Sequence, residues 1–310
     1  MFGKNTLARV VVITAIVAVV ALGLATVIWF AAGGFSPWHF GRSGVAVDER
    51  KTLSLDGIDL VSIVWVSGKV RIVEGAGRSV EAWVHGTVGT GNPDAMPHLD
   101  AKPSGRTMEI RLERKQAASM GFFWNDLVLE VSVPAGYASK LTVKAVSADV
   151  EVADHTYSSL ELSTTSGDVK VGAVRAADFR MSTTSGSLRV ARVTTQRTEI
   201  SSVSGDVEVK SMTGDTNLHT ISGSASLAFA AVPGRIDAGS TSGDITITLP
   251  SDAQFDLDAH STSGTVTCGF PITIRENRSG GGSHVLSGTV GAGANTVVVR
   301  TVSGDIGIAR

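Results

Sequence analysis

The sequence predicts an all-β fold in which short strands stack into a solenoid, preceded by a single transmembrane α-helix. Three observations predict it: a repeat of about 19 residues built around Ser-Gly-Asp, an alternation of apolar and polar residues on both sides of each copy, and an uncharged apolar segment near the N-terminus. Val, Thr, Ser and Gly dominate the second half of the chain, and these residues favour short strands and tight turns over helices.

The apolar segment spans residues 10–32 and carries no charged side chain. A helix of this length crosses a hydrocarbon core of roughly 30 Å at about 1.5 Å per residue. Lys4 and Arg9 precede the segment, so the positive-inside tendency predicts a cytoplasmic tail over residues 1–9 and an extracytoplasmic remainder. A cleaved signal peptide is the alternative, although its apolar region usually has about 7 to 15 residues. We therefore expect a single-pass protein of the cell membrane, with a linker over residues 33–54.

The repeat dominates residues 141–310. Each copy places Ser-Gly before a small polar residue and an aliphatic one, and a degenerate copy begins at Ser147. Successive copies lie 18 to 21 residues apart up to Gly264, and the next follows 40 residues later, so one rung is expected to carry an insertion near residues 270–290. The predicted structural corners of the rungs are Ser166, Gly167, Asp168, Ser185, Gly186, Ser204, Gly205, Asp206, Ser222, Gly223, Ser242, Gly243, Asp244, Ser263, Gly264, Ser303, Gly304 and Asp305.

Aligned on the corner Gly, the copies form columns of similar residues. Aliphatic residues stand two and four positions after the Gly and five before it, which is the alternation of a strand with one buried face. One unit cannot bury its apolar side alone, so units should stack in parallel about 4.8 Å apart, giving eight to nine rungs. Stacking would pair Glu151 with Lys170 and Arg189 with Glu208, and acids would alternate with neutral residues in the Asp column.

Residues 55–140 repeat less regularly and are expected to form a cap with the first rungs. Val64–Ile72 looks like one more copy, and Thr107–Leu112 and Leu127–Val133 alternate like strands. Gly86–Pro103 and Arg114–Asn125 are predicted loops. At the other end, the last copy is predicted to leave an open edge, or one covered by the insertion or by a partner.

Together, these features resemble a known family. The N-terminal apolar segment, the Ser-Gly-Asp-Val repeats, the Gly280-Gly281-Gly282 loop and the stretch from Thr296 to Ile306 resemble the bacterial putative-adhesin family of β-helical surface proteins. The resemblance covers residues 55–310 and implies a right-handed parallel β-helix displayed on the cell surface. It implies no activity and no catalytic motif.

The sequence predicts no catalytic, cofactor or metal site. The Asp residues recur once per rung, so each is expected to accept amides of its own turn rather than to catalyse. His219 and His260 share a column two rungs apart, which favours surface positions over a weak metal site. Cys268 stands in an apolar column and should be buried and unreactive. The aromatic run Phe122–Trp124 either packs under the cap or is exposed.

The sequence leaves three possible functions open. The first is a non-enzymatic surface module for adhesion or interaction with a protein or glycan partner. The second is self-assembly, because an open last rung could pair edge to edge with a second copy. The third, ranked last, is a polysaccharide-active enzyme. The formal net charge of −2 argues against a nucleic-acid partner.

Overall fold

The computed structural model describes residues 45–89, 96–114, 124–280 and 283–310, and this part of the chain is β-structure throughout. The strands are β1 (Val45–Ser54), β2 (Leu60–Gly75), β3 (Ser79–Gly89), β4 (Pro97–Ser104), β5 (Thr107–Arg114), β6 (Trp124–Pro134), β7 (Lys140–Val152), β8 (His155–Thr156), β9 (Ser159–Ser166), β10 (Val169–Ser185), β11 (Leu188–Ser204), β12 (Val207–Ser222), β13 (Ala225–Phe229), β14 (Arg235–Ser242), β15 (Ile245–Thr248), β16 (Phe255–Ser263), β17 (Val266–Cys268), β18 (Thr273–Gly280), β19 (Ser283–Val290), β20 (Asn295–Ser303) and β21 (Ile306–Ala309).

The predicted fold class, a solenoid preceded by a transmembrane helix, was wrong in its helical part. Every element within the described ranges is a β-strand, and none of those residues belongs to a helix long and apolar enough to cross a membrane. The segment predicted to span the membrane, residues 10–32, lies outside the described residues, as do the predicted tail and most of the predicted linker.

Ten stacked rungs form the body of the structure. In spatial order they are rung 1 (β5 and β6), rung 2 (β2), rung 3 (β7 and β8), rung 4 (β9 and the start of β10), rung 5 (the rest of β10 and the start of β11), rung 6 (the rest of β11 and the start of β12), rung 7 (the rest of β12 and β13), rung 8 (β14 and β15), rung 9 (β20 and β21) and rung 10 (β16 and β17). Neighbouring rungs pair in parallel, with Val169 beside Leu188 and Ser185 beside Ser204.

The spatial order of the rungs departs from the chain order at both ends. Rung 1 (107–134) pairs with the outer side of rung 2 (60–75). Rung 9 (295–309) lies between rung 8 and rung 10, because β20 pairs with both β14 and β16. The last repeat is therefore interior, and the prediction of an open edge there was wrong.

Antiparallel strands cover parts of both ends of the stack. The insertion near residues 270–290 forms the hairpin β18–β19, and β19 pairs with the outer side of β16. At the other end, β3 pairs with β6, β1 with β3, and β4 with β5. Much of the loop predicted over Gly86–Pro103 is therefore strand, since β3 continues to Gly89 and β4 begins at Pro97. These additions limit the exposed strand edges that promote aggregation.

Inward-facing columns make the core. The aliphatic side chains two and four residues after each corner Gly are buried in most rungs, as at Val169, Leu188 and Ile245, which are fully covered. Each such burial contributes about 1.5–3 kcal/mol relative to an exposed side chain. Val266 and Cys268 in rung 10 are only partly buried, because no further rung formed by the described residues lies on their outer side.

The corner itself requires glycine. Gly205 has φ of 144°, and a Cβ added there would lie 2.1 Å from the carbonyl oxygen of Gly186 in the preceding rung. The same close approach recurs from Gly167 to Gly304. Glycine is thus needed both for its backbone conformation and for the 4.8 Å rung spacing.

Candidate interaction surface

The predicted Asp residues stand at the corners and join neighbouring rungs. Asp168 Oδ1 accepts the amide of Ser187 at 2.9 Å, Asp206 Oδ1 accepts that of Ser224 at 2.9 Å, and Asp244 Oδ1 accepts that of Asp305 at 2.8 Å. The expectation that each Asp bonds amides of its own turn was wrong. The carboxylates satisfy amides that point back along the stack, so their role is structural.

The predicted alternation of acids and neutral residues holds only in part. Because rung 9 lies between rungs 8 and 10, Asp305 stacks directly on Asp244, and it bonds Thr265 through the amide at 2.7 Å and the hydroxyl at 2.9 Å. These bonds, the amide first, lower the pKa of Asp305 below its ordinary value. The acid therefore stays ionised at neutral pH despite its charged neighbour.

The corner Ser residues are exposed, and a different column carries the buried hydroxyls. Three positions before each corner Gly, the side chain points inward and is at most 9% exposed. The members of this column are Thr164, Thr183, Ser202, Thr220, Ser240, Thr301 and Ser261. Ser202 and Ser261 donate to the carbonyls of Gly205 and Gly304. The sequence did not predict this column, because Ser and Thr are usually exposed and are therefore expected at the surface of a strand.

One of the two predicted ion pairs, and the predicted burial of Cys268, differ from what the structure shows. Lys170 lies 4.0 Å from Glu151, whereas Arg189 pairs with Asp168 at 3.4 Å rather than with Glu208. Cys268 is only half-buried, but burial is still the main cause that raises the pKa of its thiol. A raised pKa keeps the thiol protonated and poorly nucleophilic.

The histidine column offers no metal site. Gly239 and Arg300 stand between His219 and His260, so the two rings are three rungs apart rather than two. Within the described ranges, no group of three or more His, Cys, Asp or Glu side chains could hold a metal ion. The aromatic run Phe122–Trp124 lies outside the residues whose side chains are described.

A broad, regular surface lies on the outward side of the strands that precede the corners. We call it the flat face and define it by the residues of rungs 3 to 10 on this side of the strands, of which Val146 and Val298 are buried. In order from rung 3, its columns are Lys140, Ser159, Asp178, Arg197, Asp215, Arg235, Thr296, Asp256; Thr142, Glu161, Arg180, Glu199, Asn217, Asp237, Val298, Asp258; Lys144, Ser163, Ser182, Ser201, His219, Gly239, Arg300, His260; and Val146, Thr165, Thr184, Val203, Ile221, Thr241, Val302, Thr262.

The first two columns, which we call the charged half, carry most of the acids and bases of the flat face. The other two consist mainly of Ser, Thr and aliphatic residues, although Lys144 and Arg300 also lie there. In the first column, acids and bases alternate from Asp178 to Arg235. In the second column, Arg180 pairs with Glu199 at 3.2 Å. In the other half, Ser182 donates to Ser163 at 3.1 Å, and Ile221 and Val302 are 37% and 39% exposed. These two aliphatic side chains stand two rungs apart in one column, so this half offers the less polar part of the flat face.

An open depression lies away from the flat face. It has a volume of about 400 Å³ and is lined by Arg71, Glu151, Lys170 and their neighbours. Glu151 lies within 3.2 to 4.0 Å of the cationic groups of Lys69, Arg71 and Lys170. Three cations balance the charge of this carboxylate, and this arrangement is more typical of a structural ion-pair cluster than of a proton-transfer site.

The sequence model of the Toastrack family, DUF4097, matches residues 61–309. The fold is similar to that of a "putative adhesin" from Bacteroides fragilis, with a TM-score of 0.50, 10% identity, and coverage of 85% of this chain and 97% of that one. A search of curated proteins found no match.

Two further solved structures show weaker structural similarity. A "putative adhesin" from Parabacteroides distasonis has a TM-score of 0.42 and 13% identity, and covers 86% of this chain and 98% of its own. A "putative lipid binding protein" from the same species has a TM-score of 0.42 and 10% identity, with 85% and 97% covered.

Proposed function

We propose, from the premise that this chain belongs to the Toastrack family DUF4097, that it is a non-enzymatic surface module that binds another macromolecule through its flat face. The family membership confirms the resemblance to adhesin-like proteins drawn from the repeats. The observation that carries the proposal is the flat face itself, where eight rungs present four straight columns with exposed aliphatic side chains beside alternating charges.

The dimensions of the flat face support a macromolecular partner. Eight rungs about 4.8 Å apart and strands of about seven residues give an area of roughly 40 by 23 Å. Small molecules bind in concave pockets, whereas a straight surface of this size suits a protein or an extended glycan. The regular columns also favour rigidity, because neighbouring rungs pair in parallel along the stack.

A bead-capture assay tests the proposal. Beads coated with the chain are offered purified envelope polysaccharides, glycoproteins and a labelled second copy of the chain. We expect retention of one of them by the wild type, loss of retention in Thr184→Arg/Thr241→Arg, and normal retention in Thr248→Arg, which changes a different surface. The retained polymer should keep its length. Retention of nothing, or retention that survives the flat-face substitutions, would contradict the proposal.

A further inference from the structure

We infer that the partner of the flat face is a second copy of this chain, packed face to face about a twofold axis. The inference rests on the proposed function, since both use the flat face. It starts from two exposed aliphatic side chains of the flat face, Ile221 and Val302. A contact surface would cover them.

Charge complementarity selects the orientation of the second copy. A twofold axis along the strand direction keeps each column opposite itself and reverses the order of the rungs. Placed between rungs 6 and 7, the axis brings Arg197 opposite Asp215 of the second copy. In the same way Asp178 faces Arg235, because these four residues alternate in sign along one column.

The same axis position matches the rest of the charged half. Arg180 faces Asp237 and Lys140 faces Asp256, so the charges that meet directly across the interface are opposite in sign. Each pair occurs twice, as in any isologous interface. Opposed charges of this kind set orientation and register more than they set affinity.

Other positions of the axis are unfavourable. Moved by one rung in one direction, the axis would bring Lys140 opposite Arg235. Moved the other way, it would bring Asp178 opposite Asp256. An axis through a single rung would place each of its charged residues opposite itself. Like-charge contacts oppose all these alternatives, so the column pattern specifies one register.

The other half fits the same register, in which Arg300 faces Ser163 and Lys144 faces His260 of the second copy. Val203 faces Ile221, and Thr165 faces Val302 of the second copy. Ser182 faces Gly239, which has no side chain. A Cβ added at Gly239 would lie only 3.2 Å from the His219 ring. β-Branched side chains pack well between facing sheets, which lie about 10 Å apart. The covered area of roughly 900 Å² on each copy is close to the 800 Å² or so that a stable interface buries per partner.

Reciprocal charge reversal tests the inference. We expect sedimentation equilibrium of the intact chain to show a dimer. In Arg197→Asp, two acids meet across the axis, and in Asp215→Arg, two cations meet, so each variant alone should dissociate about tenfold to a hundredfold more readily. An equimolar mixture of the two variants restores opposite charges and should dimerise as the wild type does.

Controls separate this interface from misfolding and from the broader function. Arg192→Asp, an exposed reversal away from the flat face, should leave the dimer unchanged, and circular dichroism should show that every variant is folded. The wild type remaining monomeric, single variants that still dimerise, or a mixture that stays monomeric would each overturn the inference. If the chain is monomeric while beads retain a polysaccharide through the flat face, the inference fails and the proposed function stands.

Discussion

Replacing a corner glycine should open the stack between two rungs. In Gly205→Ala the new Cβ would lie 2.1 Å from the Gly186 carbonyl oxygen, and φ would remain at 144°. The backbone conformation alone costs about 1–3 kcal/mol. Relieving the contact would stretch the bonds from Gly186 to Ser204 at 3.2 Å and from Leu188 to Asp206 at 2.8 Å, each contributing about 0.5–1.5 kcal/mol. The expected loss of unfolding free energy is therefore about 2–6 kcal/mol.

Two other glycines separate the contributions of conformation and contact. Gly77 has φ of 98° with no heavy atom within 4 Å of an added Cβ, and Gly136 has neither the positive φ nor the contact. In urea denaturation, Gly77→Ala should lose about 1–2 kcal/mol and Gly136→Ala should stay within about 0.5 kcal/mol of the wild type. If Gly205→Ala were no less stable than Gly77→Ala, the close approach between rungs would not limit the corner.

Three further predictions concern a carboxylate, a buried hydroxyl and the rung order. The lowered pKa of Asp305 means that its stabilisation is present above the ordinary value near 3.9 and is lost as pH falls through the folded pKa; Asp305→Asn should flatten the acid side of a melting-temperature profile. Thr183→Val, at a buried hydroxyl without a partner, should raise the unfolding free energy by about 1 kcal/mol in urea denaturation. In a background without the native thiol, cysteines at Asp237 and Val298, which are register partners, should form a disulfide detectable by mass spectrometry, whereas cysteines at Asp237 and Asp258 should not.

For each of these three predictions, a specific result would contradict the reasoning. An unchanged acid profile in Asp305→Asn would mean that its bonds to Thr265 contribute nothing to stability. Ser202→Ala is the control for the hydroxyl column, because Ser202 donates to Gly205 and its loss should destabilise by about 1 kcal/mol; equal effects at both positions would contradict the assignment. A disulfide between positions 237 and 258 would show that rung 10 packs directly on rung 8.

The columns of the repeat were predictable from the sequence, because side-chain direction in a strand depends only on the parity of the position. Val169 and Leu188 are buried neighbours, as their shared place after the corner Gly indicates. Val64–Ile72 likewise pairs in register with the regular repeats. The flat face was not predicted as a site, although its charged columns are visible once the copies are aligned on the Gly.

The roles of the Asp residues and of the inward hydroxyls needed the structure. A residue such as Asp168 can bond its own turn or the next rung, and both options use the same local sequence. The bond to Ser187 follows from how the next rung's amide is oriented. Thr183, similarly, is buried only because the strand before the corner turns that position inward.

The sequence by itself determined the period, the glycine corners and the face on which each side chain lies, since these depend on local backbone geometry. The tertiary structure alone decided which rung neighbours which. All rungs share one register, so exchanging rungs 9 and 10 leaves every column intact, and no local rule chooses between the two orders. Pairing β16 with both β19 and β20 covers its two edges, and the resulting rung order places Asp305 on Asp244.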